Sequence, residues 1–480
     1  DLDLVAPFFQ GIRLKLDDAL LRNSHWEWPF YWEAGLAILQ GPAGGGFWLH
    51  TQDHRYRYKA LHVGSPSDPH RISLDTEAYG PIDDNLAAMS GLYSLELGDW
   101  WPAALERCGL EPHRLPRLCK VGSAAALDPK SGEILALVSA PAFDPNVFSR
   151  RVSRAEWDAI VGNADRPLQN RAIQNVYSPG SVWKAFVAYA ALTHGIERSE
   201  TVHCPGSATF YGRRFRCHGV HGTVDLPTAL QVSCDIWFYT MGKRLGVDTL
   251  AEAARAFGFG RPTGIDLSSE KPGNVPSSAW SRAVRKHPWY PGETISVAIG
   301  QGPLLVSSLQ TARGFAALAN PDGALPVPHL FRIGEHVRSG ARVAYRPPVT
   351  ERVSFPPGVR ESIVEGLWRV VNAPGGTAHR YRVEGLDICG KTGSVQVVGQ
   401  KEAKKTHLLP EKLRDHAWFA AFAPRDDAKI VVVVFVENGL HGSSAAAPLA
   451  TRLIEAYLRP GSVPVPTPPA APLPQATPPG

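Results

Sequence analysis

The C-terminal part of the chain carries short apolar runs separated by turn-forming residues. These runs have the length of strands and are followed by a longer stretch with the period of a helix. Strands this close in sequence favour antiparallel pairing, so the region is predicted to be an antiparallel sheet closed by a helix. The predicted strands cover residues 386–389, 394–398, 417–422 and 429–436, and the predicted helix covers 445–458.

A hairpin pattern marks where this region begins. The apolar runs 124–127 and 134–138 flank a turn sequence at 128–132, which predicts two strands joined by a tight turn. Farther along, a Pro-Gly turn at 179–180 leads into an apolar stretch with helical spacing that ends near Gly195. The fold class that these patterns predict is α/β (α+β), an antiparallel sheet flanked by helices.

Length and composition divide the chain further. Its 480 residues suffice for two or three domains, and the larger domain is predicted to span residues 119–458. Residues 1–118 hold six of the 13 Trp and few periodic runs, so they are predicted to be an N-terminal accessory region without an assigned fold. Residues 459–480 are dominated by Pro, Ala, Thr and Ser, which predicts a disordered tail.

Charge and hydropathy narrow the range of partners. The 50 Lys+Arg and 45 Asp+Glu are mixed along the chain rather than gathered in basic blocks, which argues against nucleic acid. No apolar run approaches the roughly 18 to 20 residues needed to cross a bilayer. Because the chain starts at Asp1 without an initiator Met or a signal-like stretch, we expect that an upstream targeting or anchoring segment has been removed.

Candidate chemistry begins at the turn before the predicted helix. Ser181 lies at the helix start, and Lys184 returns to the same face one turn later, so its amine can reach the serine hydroxyl. The pair makes a nucleophile and a base if burial or a neighbouring cation keeps the lysine neutral. Backbone amides at a helix start favour negative charge, as an oxyanion requires. Taken alone, the pair is better explained as an N-cap serine and a surface lysine.

The same Ser-x-x-Lys spacing recurs at Ser268 and Lys271. This copy is followed by Pro272 and Gly273 and by no helical apolar pattern, so it is predicted to be a loop without a catalytic role. Spacing alone is therefore a weak signal, and the turn and helix around Ser181 carry the prediction.

Two further motifs make the prediction for Ser181 specific. A Ser-Cys-Asp motif at 233–235 precedes the apolar run 236–239. A Lys-Thr-Gly-Ser motif at 391–394 lies between apolar stretches, where a small Gly393 would let a substrate backbone pair with the strand edge. In this order the three motifs are the signature of serine enzymes that react with penicillin. The occurrence of all three motifs in this order is therefore poorly explained by coincidence.

On these motifs the chain resembles the class B penicillin-binding proteins, and most closely the elongation-type penicillin-binding protein 2 group. The resemblance covers roughly residues 121–458. It implies a penicillin-binding, serine β-lactamase-like transpeptidase fold. It also implies a DD-transpeptidase that cross-links peptidoglycan stem peptides during cell-wall elongation and is inhibited by β-lactams. Further segments similar to the family lie at 127–136, 143–146, 170–172, 291–294, 298–302, 416–419 and 436–439.

The resemblance and the side-chain chemistry together imply a role for each motif residue. Lys184 accepts the proton of Ser181, which attacks the carbonyl of the penultimate D-Ala and releases the terminal D-Ala. An amine of a neighbouring stem peptide then resolves the acyl-enzyme. Ser233 relays protons, and Asp235 orients the network. Lys391 supplies positive charge for the substrate carboxylate and discourages protonation of Lys184.

The third motif also binds substrate. The hydroxyls of Thr392 and Ser394 can bind the substrate carboxylate, and the resemblance implies an oxyanion hole made by the backbone amides of Ser181 and Ser394. Three positions depart from the family pattern. Asp235 stands where Asn is common, Trp183 stands where a small or β-branched residue is usual, and Ser394 replaces Thr.

Other functions stay open on the motifs alone. If water resolved the acyl-enzyme, the same chemistry would make a DD-carboxypeptidase or a β-lactamase, although a β-lactamase needs no additional 118 residues before its catalytic domain. The alternative from a different class is a non-catalytic sensor that binds β-lactam covalently and signals.

Four potential metal ligands have an unusual spacing, C-x12-C-x3-H-x12-C, at Cys204, Cys217, His221 and Cys234. Three thiolates and one imidazole suit a closed tetrahedral site for structural zinc. The resemblance adds that some members of the penicillin-binding protein 2 group carry zinc beside the second motif, which contains Cys234. The alternatives are a disulfide between Cys204 and Cys217, or a Cys234 that is simply a buried apolar residue. No organic cofactor is predicted.

Partners and location follow from the resemblance. It implies peptidoglycan stem peptides as substrates, β-lactam antibiotics as ligands and a lipid-linked glycan polymerase of the SEDS type as a possible partner. It places the protein at the periplasmic, extracytoplasmic face of the bacterial inner membrane, anchored by an N-terminal segment absent from this chain.

Overall fold

The computed structural model describes two compact units of the chain separately. Among the described residues, the first unit contains seven strands between His25 and Trp100, and residues 122–397 and 412–460 belong to the second. The predicted domain limits at 119 and 458 stay predictions, and the predicted tail lies outside the described residues from 461 onward. The described ranges are the seven early strands and residues 122–143, 145–331, 333–335, 342–344, 351–397 and 410–460.

The first unit is built from antiparallel strands. Five strands pair in chain order as a meander, and two short strands form a separate pair. This gives β structure to a region for which the sequence predicts no fold. The strands are β1 (His25–Glu27), β2 (Leu36–Gln40), β3 (Phe47–Asp53), β4 (Tyr56–Ser65), β5 (Asp68–Leu74), β6 (Tyr93–Ser94) and β7 (Asp99–Trp100).

The second unit mixes strands and helices. Its described strands are β8 (Gly122–Leu127), β9 (Ile134–Ala140), β10 (Val202–Cys204), β11 (Ser207–Phe210), β12 (Arg213–Arg216), β13 (Gly222–Val224), β14 (Ala324–Leu325), β15 (Ile333–Glu335), β16 (Arg342–Ala344), β17 (Glu351–Arg352), β18 (Cys389–Val395), β19 (His416–Ala423) and β20 (Ile430–Val436). Its described α-helices are α1 (Arg154–Val161), α2 (Arg171–Gln174), α3 (Lys184–Thr193), α4 (Leu226–Gln231), α5 (Asp235–Ala256), α6 (Ser278–Trp280), α7 (Glu293–Val297), α8 (Ser308–Ala319), α9 (Val359–Asn372) and α10 (Ala447–Leu458).

The main sheet of the second unit is antiparallel and has the strand order β18-β19-β20-β8-β9. Alternate residues of its strands point to opposite sides. On one side Trp418 and Phe422 join a core shared with α3, α5 and α8. On the other side Phe419 and Ala421 pack with Ile454 of α10. The predicted antiparallel sheet flanked by helices is confirmed.

Most predicted elements are confirmed with small shifts, and one is wrong. The hairpin is β8 and β9, and the closing helix α10 begins two residues later than predicted. The two strands predicted at 386–389 and 394–398 are instead one strand, β18, because the polar motif between them pairs with β19 along its whole length. Polar side chains interrupt the apolar pattern there without interrupting the ladder.

The helix predicted after the Pro-Gly turn is α3, and a 3₁₀ turn at Gly180–Trp183 precedes it. Trp183 is buried, with its ring centroid 5.3 Å from that of Phe186 and 5.1 Å from that of Phe259. This aromatic cluster accommodates the large residue at a position where the family usually has a small or β-branched one. Among the helices that the structure describes, none has both the length and the apolar character needed to cross a membrane.

Candidate active site

Ser181 lies in the 3₁₀ turn that leads into α3. Gly180, just before it, has a φ of +54°, a region that favours glycine. The Gly180 amide donates to the Gly300 carbonyl at 2.9 Å, and a Cβ on Gly180 would come within 2.7 Å of the Ser394 carbonyl oxygen. The turn is thus wedged between the segment after α7 and strand β18, which places Ser181 beside the third motif.

Lys184 is buried directly after this turn. Its Nζ lies 2.7 Å from the Ser233 carbonyl oxygen, 3.1 Å from Ser233 Oγ and 2.6 Å from Asp235 Oδ1. Three acceptors match the three hydrogens of an ammonium group. Ser181 Oγ is not one of these partners in the described structure, so the predicted contact between Lys184 and Ser181 requires the amine to turn towards the hydroxyl. Such contacts often tighten only when substrate binds.

Ser233 connects the two lysines. Lys391 Nζ donates to Ser233 Oγ at 2.9 Å and to the Thr392 carbonyl at 3.0 Å, while Lys184 contacts the same hydroxyl from the other side. Ser233 has a φ of +54°, which costs a non-glycine residue on the order of 1 kcal/mol. The structure therefore holds Ser233 in a strained conformation at the point where the three motifs meet.

Burial and charge set the protonation of the surrounding groups. Burial tends to raise the pKa of Asp235, but the Lys184 charge and a hydrogen bond with His218 outweigh it and lower that pKa to about 2. Burial, followed by repulsion from Lys184, lowers the pKa of Lys391 well below its usual value. Lys391 can therefore exist as a neutral amine beside Ser233, able to accept a proton.

The third motif contacts both the nucleophile turn and a residue outside the motifs. Thr392 Oγ1 lies 2.7 Å from Thr377 Oγ1, and Ser394 Oγ accepts a long hydrogen bond of 3.4 Å from the Gly442 amide. A Cβ on Gly393 would lie 3.0 Å from the Pro179 carbonyl oxygen. The missing side chain of Gly393 therefore lets β18 approach the Ser181 turn, which differs from the predicted role of admitting a substrate backbone.

Three residues that the motifs do not include hold the segment before Ser181. Glu437 Oε1 accepts from Arg171 Nε at 3.0 Å and from the Tyr177 hydroxyl at 2.6 Å. The side chain of Arg171 is 5% exposed and that of Glu437 is 21% exposed, so this ion pair is partly desolvated. Glu437 directly follows β20, and the clamp ties the chain leading to Ser181 to the main sheet.

Long-range contacts of this kind are not visible in the local pattern. Arg171 and Glu437 are 266 residues apart, and Thr377 lies in a turn after α9 whereas Thr392 lies in β18. The segments similar to the family include Arg171 and Glu437, but nothing in their spacing predicts that they meet.

The structure brings the four predicted metal ligands together. Their ligand atoms all lie within 4.8 Å of one another, and His221 Nδ1 is 3.6 Å from Cys204 Sγ and 3.5 Å from Cys217 Sγ. Cys204, Cys217 and Cys234 are free thiols rather than disulfide-bonded. A hydrogen bond from Cys234 lowers the pKa of the Cys217 thiol to about 3, which favours the thiolate form that a metal would bind. This cluster could hold a metal ion.

The cysteine cluster is coupled to the second motif. The Asp235 amide donates to Cys217 Sγ at 3.2 Å. His218, which the sequence analysis did not single out, lies between the two sites, with Nε2 2.9 Å from the Val232 carbonyl and Nδ1 3.7 Å from Asp235 Oδ2. Burial opposes its protonation, but hydrogen bonds with Asp235 and Cys217 raise the pKa of His218 to about 9. The sequence could have indicated His218 only through its position directly after Cys217.

The remaining serine and cysteine candidates lie elsewhere. The second Ser-x-x-Lys copy is a loop, as predicted, with the Lys271 amide bonded to the Ile173 carbonyl at 3.0 Å. Cys389 is a buried free thiol at the start of β18. Cys108 and Cys119 lie outside the described residues.

The contact between Gly180 and Gly300 predicts a strong effect for one small substitution. In Gly300→Ala, the new Cβ would overlap the Gly180 carbonyl at a φ of +76°. We expect a loss of stability of about 2–4 kcal/mol from the clash and the backbone strain together, and acylation at Ser181 slowed by about tenfold or more. Urea unfolding and the rate of labelling by a fluorescent penicillin measure the two effects.

Gly302→Ala is the matched control for this prediction. Gly302 has a φ of +77°, but the nearest atom to its Cβ position is 3.9 Å away. The control should lose only the backbone strain of about 1 kcal/mol and acylate normally. Equal behaviour of the two variants would show that the Gly180 contact does not position the turn.

Residues 122–455 match the penicillin binding protein transpeptidase domain. Because this match covers well over half of the chain, the protein belongs to that family. The resemblance inferred from the three motifs is confirmed, including the penicillin-binding protein 2 group.

One curated relative and one solved structure show how similar the chain is to known members of the family. The chain is 37% identical to the peptidoglycan D,D-transpeptidase MrdA of Haemophilus influenzae over 348 residues, 70% of this chain and 53% of the relative. A crystal structure of penicillin-binding protein 2 from Pseudomonas aeruginosa in complex with WCK 5153 has a TM-score of 0.63 and 33% identity, covering 72% of this chain and 75% of that chain.

A third similarity concerns an assembly. A structure described as the structural coordination of polymerization and crosslinking by a peptidoglycan synthase complex has a TM-score of 0.62 and 35% identity, covering 72% of this chain and 57% of that chain. The chain spans about half the length of the curated relatives it matches.

Proposed function

We propose that the chain is a peptidoglycan DD-transpeptidase of cell-wall elongation that cross-links stem peptides through a Ser181 acyl-enzyme and is inhibited by β-lactams. The observation that carries the proposal is the position of Ser233 Oγ, which both Lys184 and Lys391 contact beside the Ser181 turn. A nucleophile with two buried amines and a shared hydroxyl suits acyl transfer, which needs a proton to be removed and then delivered. The family relationship supports the same reaction.

Acylation uses the three motifs in sequence. Ser181 Oγ attacks the carbonyl of the penultimate D-Ala. Lys184 takes the hydroxyl proton once its own proton has passed through Ser233 Oγ to the neutral amine of Lys391. As the C–N bond breaks, the proton passes through Ser233 to the nitrogen of the leaving D-Ala. The buried amine of Lys391, with its lowered pKa, lies at the far end of this relay and can exchange a proton with Ser233.

Deacylation reverses the proton path. The amine of an acceptor stem peptide attacks the ester carbonyl, its proton passes to the relay, and Ser181 leaves with a proton returned to Oγ. The backbone amides of Ser181 and Ser394 would stabilise the oxyanion in both steps. The close approach of the Gly180 turn to β18, where an added Cβ on Gly180 would lie 2.7 Å from the Ser394 carbonyl oxygen, supports this role. Thr392 and Ser394 would bind the substrate carboxylate, and Thr377 is placed to orient the Thr392 hydroxyl.

The experiment that tests this function follows the acyl group. Intact mass after exposure to penicillin should show one adduct per chain that is released slowly. With uncross-linked peptidoglycan strands, the protein should form cross-linked dimers and release D-Ala. Release of D-Ala without dimers would favour the carboxypeptidase, rapid release of penicillin would favour a β-lactamase, and stable acylation with no turnover of strands would favour the sensor.

For the cysteine cluster we propose structural zinc held by Cys204, Cys217, His221 and Cys234. Three sulfurs and one imidazole nitrogen, gathered within 4.8 Å, fit the donor set and the size of a tetrahedral zinc site. The metal would supply no chemistry to the acyl transfer. It would fix the chain that carries Cys217, whose sulfur accepts from the Asp235 amide, and so steady the second motif.

We therefore expect about one zinc per chain in protein purified without added metal. Cys204→Ser should lose most of the zinc, unfold at a lower temperature and acylate more slowly. Cys389→Ser, which replaces another buried free cysteine outside the cluster, should keep its zinc. Less than about a tenth of an equivalent, or a Cys204–Cys217 disulfide found by thiol counting, would rule the zinc site out.

The location and partner follow from the substrate. Peptidoglycan lies outside the cytoplasmic membrane, so we propose that the described domain works on the extracytoplasmic, periplasmic side. A glycan polymerase of the SEDS type is the proposed partner, supported by the similarity to the peptidoglycan synthase complex. Co-purification of the full-length protein with such a polymerase would test it.

A further inference from the structure

One surface of the second unit carries unbalanced positive charge. It is formed by residues 209–216 of the β11–β12 hairpin, residues 240–246 of α5 and the loop 280–292, and we call it the cationic face. These three segments contain eight Lys and Arg and no Asp or Glu, although the whole chain has nearly equal numbers of both signs. The imbalance is therefore local.

Most of these cations are not neutralised by a neighbour. Arg244 pairs with Glu200 and Arg285 pairs with Glu293. The other six side chains form no ion pair within the described part of the chain, and all of them belong to exposed residues. They are Arg213, Arg214, Arg216, Lys243, Arg282 and Lys286.

Exposed aromatic rings lie among the charges. The Tyr211 residue is 52% exposed, with Lys243 Nζ 5.6 Å from its ring centroid, and its ring edge is 3.8 Å from the Cβ position of Gly292. Tyr290 is 57% exposed and stacks on His287, with ring centroids 5.5 Å apart. The contacts of Tyr211 link the hairpin to Lys243 of α5 and to Gly292 at the end of the loop.

The loop of this face is rigidly built. The Arg285 guanidinium contacts the rings of both Trp280 and Trp289, with its Cζ 5.4 and 5.1 Å from their centroids. Glu293 accepts from both of its terminal nitrogens at 2.7 Å. A surface that is ordered before binding loses less entropy when a ligand arrives. These contacts, with the hydrogen bond from the Tyr290 amide to Glu293, order the loop around Tyr290 before a ligand binds.

The cationic face is close to the nucleophile. Gly292 begins the segment that runs through α7 to Gly300, and eight residues of mostly helical chain span roughly 12 Å. Gly300 contacts Gly180, next to Ser181. A peptide of five residues reaches at most about 17 Å, so a stem peptide could extend from this face to the serine.

We propose that the cationic face binds a peptidoglycan glycan strand, with arginine and lysine side chains on the stem carboxylates and the tyrosine rings against the sugars. Guanidinium groups bind carboxylates through paired hydrogen bonds, and tyrosine offers a flat apolar ring with a polar tip. The face holds the strand while one of its stems enters at Ser181. This inference rests on the proposed function and extends it to a strand-binding site outside the catalytic motifs.

Binding of soluble, uncross-linked peptidoglycan strands to full-chain Ser181→Ala protein tests the proposal without turnover. The reversal Arg213→Glu with Lys243→Glu should weaken binding by about tenfold or more and reduce its dependence on salt. Tyr290→Ala should weaken binding several-fold with an unchanged salt dependence. The matched control is Arg151→Glu with Arg452→Glu, two exposed cations outside the face, which should bind as the parent does.

Penicillin acylation, measured with Ser181 present, separates this proposal from the proposed function. The face variants should acylate at the parent rate, because penicillin is too small to need the strand site. Unchanged strand binding in the double reversal overturns the inference, even if cross-linking is observed. The same double reversal is also tested on phosphatidylglycerol vesicles. If it loses binding to the vesicles but still binds the strands, the inference is overturned as well. If the double reversal does not fold, Lys243→Gln and Tyr290→Ala carry the same test separately.

Discussion

Ser181→Ala is expected to abolish covalent reaction with penicillin, whereas Ser268→Ala should leave it unchanged. Ser181 lies on a turn held against Gly300 and β18, with two buried amines reaching the neighbouring Ser233. Ser268 has the same spacing to a lysine but lies in a loop. Intact mass after penicillin treatment, followed by peptide mapping of the adduct, measures the difference.

The same experiment includes its own control for folding. Among the hydrogen bonds that the structure describes, the Ser181 hydroxyl makes none, so its removal should change the unfolding midpoint very little. A Ser181→Ala protein that still gained one drug mass would contradict the assignment. Loss of the adduct together with a cooperative unfolding transition at the parent's midpoint would support it.

The main sheet could be predicted from the sequence because its strands are apolar and local. The pattern at residues 417–422 and 429–436 comes from strands β19 and β20, which are buried on both sides and pair with each other. The hairpin of β8 and β9 depends on a short turn. Each of these signals lies within a few residues, where hydrophobic periodicity and turn chemistry are informative.

Strand β18, which contains the third motif, shows where the local hydrophobic pattern fails to predict a strand. Its residues Lys391 and Thr392 are polar yet buried, because their partners, Ser233 and Thr377, come from distant parts of the chain. Periodicity treats such residues as exposed and ends the strand. The early strands are also hard to predict locally, because a strand such as β3 is an apolar run followed by a polar run rather than an alternation.

The site residues also divide into those with a local sequence pattern and those that depend on long-range contacts. Ser181, Lys184 and the four metal ligands have short or repeated spacings, which the sequence displays. The clamp of Arg171, Tyr177 and Glu437 has no such spacing, and the burial of Lys184 against Asp235 cannot be inferred from its position in a helix. Helix propensity alone predicts that Lys184→Ala leaves the fold intact. In the structure Lys184 is buried and paired with Asp235, so its removal is expected to destabilise the fold.

Lys184→Met is expected to slow acylation by about 10²- to 10⁴-fold, the usual range for loss of a general base. It should also lower stability by about 3 kcal/mol, because Asp235 would keep its charge in a largely buried site without its main partner. Methionine keeps most of the length of lysine and tolerates irregular cavities, so little of the loss comes from packing. Labelling by penicillin and urea unfolding separate the two effects.

The stability loss should depend on pH in a defined direction. In the parent, the pKa of Asp235 is lowered from 3.8 to about 2, mainly by Lys184 once burial is overcome. A lowered carboxyl pKa contributes stability above pH 3.8 that disappears as the pH falls towards 2. Without Lys184 this contribution shrinks, so the gap in stability between parent and variant should be largest near neutral pH and narrow on acidification.

A second substitution distinguishes the base from the ion pair. Lys184→Met combined with Asp235→Asn removes both charges and keeps a polar side chain at position 235, where Asn is common in the wider superfamily. The double variant should recover most of the lost stability but none of the acylation, because no amine is left to take the proton of Ser181. If acylation returned together with stability, Lys184 would be acting through the packing of the second motif, and proton removal would have to be assigned to Lys391, whose amine contacts the same Ser233 hydroxyl.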